Sequence, residues 1–292
     1  MIKNLICSRT VILLFQIACF LNVQGNPHVP EDTLAPGNRL LRYVDPTIGN
    51  VAQLLEPTRP TSYLPNQIIR VHPIRKDYLD DQISGFPLTV VSHRLGTVFC
   101  IRPSTYPVST DSWDRKMPYD QDLEITRPWY YSTYLLDEAA TVEFSPSKKS
   151  GIFRFSFPPE ATKIILLNTC NNGEASLEMN SGNEISGMET WHGDVKIYMY
   201  GIFNAFRRRG AVEIENKSIE TGKTISGKSV RTYFKFPTDA DTVEFRYAIS
   251  FVSGKQAEIN YKKEMARKSF SDVEKDAEAI WSTLLSQIQV EG

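Results

Sequence analysis

The chain has 292 residues, with 33 Lys and Arg against 34 Asp and Glu, a formal net charge of −1 at pH 7. That balance excludes the concentrated positive face that nucleic-acid phosphates demand, so no nucleic-acid partner is expected. Four cysteines are too few for a disulfide framework, and no CxxC or His-rich spacing offers a metal site.

In chain order, residues 1–25 read as a secretory signal. Lys3 and Arg9 precede the apolar run "TVILLFQIACFLNV" (10–23), and Val23 and Gly25 supply small residues for cleavage. The run is too short and too poorly flanked for a membrane span. A lipoprotein reading would end at Cys19, but Gln16 stands where an aliphatic residue is wanted. The expected location is therefore secreted or periplasmic. Cys7 and Cys19 leave with the signal. Cys100 and Cys170 remain, read as buried free thiols in preference to a pair formed in an oxidising compartment. Residues 26–42, rich in Pro, Asn, Asp and Gly, form a leader. "YVDPTIGN" (43–50) then reads as a short strand, a corner at Asp45-Pro46 and a turn at Gly49-Asn50.

Residues 56–94 hold most of the polar side chains that could form a site: Arg59, Arg70, His72, Arg75, Asp80, Asp81, His93 and Arg94. Loops on a rigid scaffold carry binding residues, yet the same charges would serve to pin an irregular loop by pairing. His72, beside Pro73, reads as a surface residue. Asp80 and Asp81 are adjacent, and alternation sends them to opposite faces of an extended strand, which does not suit two carboxylates aimed at one bond. No nucleophile elbow, EF-hand spacing or phosphate loop is present.

From residue 87 the pattern is strands: 87–92, 97–102, 141–146, 151–158, 163–169, 175–179, 184–191, 195–204, 211–216, 230–237 and 242–253. In "GIFRFSFP", Ile152, Arg154 and Ser156 face one side and Phe153, Phe155 and Phe157 the other. "RRR" (207–209) reads as a solvated hairpin tip. "PWYYSTY" (128–134) and "YDQD" (119–122) suit either sandwich core or a sugar-stacking surface. Many strands without a helical period between them predict an all-β fold, a large two-sheet antiparallel β-sandwich over residues 43–252. Two helices follow in 253–292, with capping boxes at Ser253–Gln256 and Ser271–Glu274. The second carries Val273, Ala277, Ile280, Trp281, Leu284, Leu285 and Ile288 on one face.

The Tyr-Val-Asp-Pro-x-Ile-Gly opening just after a signal resembles the mature start of glycoside hydrolase family 92, secreted bacterial α-mannosidases. "PTRPTSYLPNQIIRVHP" looks like a divergent form of that family's next motif. "YLDDQISGFPLTVVSHR" looks like its Gly-Phe-Ser-His-Thr region, with His93 at the matching histidine. "AISFVSGKQAEINYKKEM" and "IWSTLLSQIQVEG" resemble its helical linker. The resemblance implies a galactose-mutarotase-like sandwich whose loops close one side of a sugar pocket, with Arg59, Asp80, Asp81, His93 and Arg94 at the rim. It also implies mannose-containing glycans as partners and Ca²⁺-dependent, inverting hydrolysis of α-mannosides. The family's acid, base and calcium site lie in an (α/α)₆ barrel expected after residue 292. The chain therefore reads as the N-terminal domain without its catalytic barrel. It would be inactive alone, would itself bind no Ca²⁺, and would have a separately encoded barrel as a possible partner. The alternative is a stand-alone, non-catalytic carbohydrate-binding module. A module would bury Trp281 and Leu284 on its own sandwich, whereas a domain awaiting a barrel would leave them partly exposed. The family's glycine-rich segment after Ile-Gly is replaced here by "NVAQLLEPTRPTSYLPNQ".

Overall fold

The computed structural model describes residues 40–51, 54, 56–91, 96–180, 183–204, 208–214, 217–219 and 224–288. The signal assigned to residues 1–25 lies outside them, as do His93 and Arg94. Strands run in chain order as β1 (Ser62–Tyr63), β2 (Arg70–Val71), β3 (Gln82–Ile83), β4 (Phe86–Val90), β5 (Thr97–Ser104), β6 (Met117–Arg127), β7 (Tyr130–Leu135), β8 (Ala140–Pro146) and β9 (Ser150–Ser156). They continue as β10 (Lys163–Asn168), β11 (Ala175–Met179), β12 (Glu184–Trp191), β13 (Val195–Phe203), β14 (Arg208–Ile214), β15 (Lys217–Ile219), β16 (Thr224–Gly227), β17 (Val230–Phe236) and β18 (Thr242–Ser250). Two helices, α1 (Gly254–Glu264) and α2 (Phe270–Leu285), follow.

The strands form a ten-stranded antiparallel sheet (β16-β11-β12-β13-β18-β9-β8-β7-β6-β3), a six-stranded one (β15-β14-β17-β10-β5-β4) and the small β1-β2 pair. One apolar core joins the two large sheets: Phe86, Ile101, Ile165 and Phe234 from the six-stranded sheet meet Phe144, Phe153, Phe155 and Phe245 from the ten-stranded one. The period-2 pattern of β9 explains its place. Phe153 and Phe155 enter that core, opposite Phe245 and Val243 of β18. Ile152 turns to the other face. Fully burying each such side chain is worth about 1.5–3 kcal/mol. The fold is thus the large antiparallel sandwich anticipated from strand spacing. "PWYYSTY" goes mainly to packing, with Trp129 and Tyr131 buried.

Three local expectations change. Tyr43–Val44 is not a strand; it follows a helical turn at Leu40–Leu41. Arg208 and Arg209 are not at a hairpin tip but pair with Lys235 and Phe234, while Arg207 lies outside the described residues. β6 was not anticipated as a strand. Its register against β7 shifts between Asp120 and Ile125, which breaks the alternation.

The outer face of the ten-stranded sheet is covered by the helices. Ile152, Tyr200 and Ala248 pack against Ala257 and Tyr261 of α1 and Phe270 and Val273 of α2. Ser253 caps α1, accepting from Gln256 N–H at 3.1 Å. The second capping box is Ser269–Asp272, two residues earlier than expected. Phe270, buried edge-on against Tyr130 and under the Arg154 guanidinium, pulls the helix start forward. No described helix is long and apolar enough to cross a membrane.

Candidate functional site: a polar cleft at the opening turn

The "YVDPTIGN" segment folds into a tight turn. The Asp45 carboxylate accepts from Thr47 N–H at 2.8 Å and Thr47 Oγ1 at 2.6 Å, an Asx-turn. Those bonds hold the carboxyl below its ordinary range, so Asp45 is ionised. Gly49 sits at φ +80°, where a Cβ would be strained, and would lie 3.0 Å from Thr58 Oγ1. Thr58 closes the turn through Gly49 O at 2.9 Å and Ile48 O at 2.7 Å.

This turn, the segment 58–72 and Trp281 of α2 together line a cleft of about 760 Å³. Trp281 forms one wall. It packs edge-on to Tyr63 with centroids 5.5 Å apart, and its Nε1–H donates to Tyr63 O at 2.9 Å. Arg59 spans the base. Its Nη1 donates to Arg75 O at 2.8 Å and to Lys76 O, and its Nη2 to Glu56 Oε1 at 3.1 Å.

His72, expected at the surface, is 6% exposed. Its Nδ1 lies 3.2 Å from Thr61 Oγ1, whose own proton goes to Arg59 O at 3.0 Å. Nδ1 is then the protonated nitrogen, and Nε2 is left as an acceptor. Burial, reinforced by Arg59, Arg70 and Arg75, pushes its pKa from 6.5 down to about 3, so the ring is neutral at physiological pH.

Behind the cleft lies a buried ion pair, Arg75–Glu124 at 3.0 Å, with both side chains 2% exposed. Tyr131 Oη donates to Glu124 Oε1 at 2.8 Å, and Tyr119 Oη accepts from Arg75 and donates to Asp80 O at 3.0 Å. The network ties the loop after His72 to β6 and β7, and so fixes the carbonyls that hold Arg59. Asp45 is the single carboxylate among the cleft's lining residues.

The sequence pattern of the glycosyl hydrolase family 92 N-terminal domain matches residues 43–250. The chain belongs to that family. Its fold is shared with solved family 92 enzymes. An inverting mannosidase from Bacteroides thetaiotaomicron superposes with TM-score 0.77 at 20% identity, over 86% of this chain and 37% of that one. An α-mannosidase from the same organism gives 0.74 at 22%, over 87% and 39%. The chain thus spans less than two-fifths of the length of these enzymes. No curated protein matches in sequence.

Within this family 92 domain, the five anticipated rim residues part company. Arg59 lines the cleft. Asp80 does not. Its carboxylate accepts from Lys76 N–H at 2.9 Å and Gln82 N–H at 3.2 Å, closing the loop on itself. Asp81 is exposed and takes Tyr119 N–H on its carbonyl at 3.2 Å. His93 and Arg94 lie outside the described residues. Asp45, Tyr63, His72 and Trp281 were not singled out for the cleft. The family-like opening was the available signal for Asp45, and nothing local pointed to Trp281. Among the described residues no group of three or more His, Cys, Asp or Glu side chains is placed to hold a metal ion.

Proposed function

We propose that this domain supplies one wall of the mannose-binding pocket of an exported α-mannosidase acting on mannose-containing glycans. The supporting observation is the make-up of the cleft. An indole and a phenol ring form an apolar wall beside neutral or already committed polar groups: His72, Thr61 and the ionised Asp45. Sugars are held by such a mixture of ring faces and fixed hydrogen bonds. Inverting hydrolysis needs two carboxylates flanking a water. The cleft has one, and its Oδ1 already accepts two bonds from Thr47. Recognition is therefore the role of this domain. The acid, the base and any Ca²⁺ belong to a partner barrel, in the same or a separate polypeptide.

The test is a titration of the chain with methyl α-mannoside, followed by amide chemical shifts, alongside a mannose-release assay on an aryl α-mannoside. We expect shifts confined to residues 44–48, 58–72 and 281, binding on the order of millimolar, its loss in Arg70→Ala, and no release with or without Ca²⁺. Steady turnover, or shifts scattered away from the cleft, refutes the proposal. The burial of Trp281 on the domain's own strands favours a second reading, a self-sufficient carbohydrate-binding module. Micromolar affinity for mannosides in the isolated chain would select it.

A further inference from the structure

Two cysteines lie together at the far end of the six-stranded sheet. Cys100 on β5 stands opposite Asn168 of β10 in antiparallel register, and Cys170 follows Asn168 by two residues. Both thiols are free, and they hydrogen-bond to each other. The backbone beside each sulfur is held by one carboxylate, that of Glu189 on β12. Its Oε2 accepts from Phe99 N–H at 2.7 Å, while its Oε1 accepts from the N–H of Cys170 and of Asn171, each at 2.5 Å. Asn171 Nδ2 adds a bond to Thr97 O at 3.1 Å. Glu189 is fully buried, so this clamp is rigid. Gly85 makes room for the sulfur, since a Cβ there would lie 2.3 Å from Cys100 Sγ.

We propose that Cys100 and Cys170 form a disulfide joining β5 to the turn after β10 when the chain folds in the presence of a disulfide oxidant. Bridging requires paired Cα atoms within about 7 Å and converging Cβ vectors. Cys170 stands diagonal to Cys100, two residues past its register partner, a placement of about 7–8 Å at the edge of that range, and the Cys170 thiol reaches the Cys100 sulfur, so the side chains converge. The chemistry favours the step as well. The bond from Cys170, aided by Arg102, holds the Cys100 thiol down at about 7 against the upward push of burial, and Cys170 keeps its proton. A Cys100 thiolate attacks the oxidant's disulfide, forms a mixed disulfide and releases one thiol. Cys170 loses its proton and attacks the Cys100 sulfur, forming the bridge and releasing the second thiol. Two cysteine thiols are oxidised and one small-molecule disulfide is reduced. Cys100 is buried in the folded chain, so the mixed disulfide forms during folding, before β5 closes against β10. The bridge closes a loop of roughly 70 residues, which removes substantial entropy from the unfolded chain. That loop contains β6 to β9, including the Pro128 edge of the cleft.

The test refolds the full chain in oxidised and reduced glutathione, and separately in dithiothreitol, followed by alkylation under denaturing conditions and peptide mapping. A linked Cys100–Cys170 peptide and a Tm about 5–15 °C above the reduced sample are expected. Cys100→Ala and Cys170→Ala should each abolish the difference between the two conditions. Alkylation of both cysteines after oxidative refolding overturns the proposal. So does linkage of either to Cys7 or Cys19, or a Tm that falls on oxidation. The mapping on the unmodified sequence decides the matter even if a variant fails to fold.

Discussion

Removing Arg75 should cost more than any other single charge change near the cleft. Arg75 and Glu124 are each 2% exposed, and their 3.0 Å contact is the charge-neutralising partner of both. Burial alone would lower the guanidinium's pKa, but Glu124, Tyr131 and Tyr119 more than reverse that, so Arg75 stays charged. Arg75→Met keeps the stem and removes the charge, leaving Glu124 buried and uncompensated. Breaking a buried pair this way costs about 3–5 kcal/mol. At roughly 2–4 °C per kcal/mol for a domain of this size, Tm should fall by about 6–20 °C. Replacing both partners, Arg75→Met with Glu124→Leu, removes two desolvation penalties together with the attraction, and should recover most of the loss. The assay is a double-mutant cycle from urea melts followed by circular dichroism. A single-variant loss under about 1 kcal/mol, or a coupling energy near zero, would show that the pair is hydrated in solution and does not organise the loop.

His72 predicts a pH dependence. Its folded pKa is about 3 against 6.5 unfolded, so the unfolded chain binds the extra proton between those values. Stability is full above pH 6.5 and is lost as pH falls toward 3, at up to about 1.4 kcal/mol per pH unit; His72→Gln should flatten that limb in Tm-against-pH scans. Gly201→Ala places a Cβ 2.4 Å from Phe245 Cζ, and overpacking should cost about 1–3 kcal/mol in a chemical melt. Trp281→Ala should cost about 3–5 kcal/mol. Leu284→Ala, one turn nearer the C-terminus of α2, should stay within about 0.5 kcal/mol.

Strands with clean alternation were legible because a half-buried strand writes its two environments into successive residues. In "GIFRFSFP" the phenylalanines face the core and Ile152 and Arg154 face the helices, so the pattern and the partner agree. β6 hid itself. Asp120, Gln121, Asp122 and Glu124 show no apolar alternation, yet Glu124 turns inward to meet Arg75, which comes from a segment 49 residues earlier. A charge satisfied by a distant opposite charge leaves no local trace. His72 was misread for the same reason. The adjacent Pro73 suggested a surface position, but the ring is enclosed beside the buried Arg75. The cleft was half legible. Its turn is local and was readable at Asp45 and Gly49, while its indole wall arrives from 218 residues away.

The last helix makes the same point from the other side. An apolar arc of Val273, Ala277, Ile280, Trp281, Leu284, Leu285 and Ile288 fixes periodicity but not partners, and the structure divides it. Ala277, Trp281 and Leu285, four apart, turn inward onto Leu41, Leu64 and Trp129. Trp281 is pinned there because its indole N–H needs a buried acceptor, which Tyr63 O provides. Ile280, Leu284 and Ile288, one position earlier in each turn, stay 37%, 41% and 79% exposed. Neither outcome expected from the sequence holds whole, since the domain buries the tryptophan as a module would and leaves the leucine outward. The two stripes therefore carry separate functions. The inner stripe belongs to the cleft wall and to stability, and substitutions there report on both. The outer stripe contributes little to this domain's own core, so a polar substitution at Leu284 separates solubility and association from folding, which Trp281 cannot do.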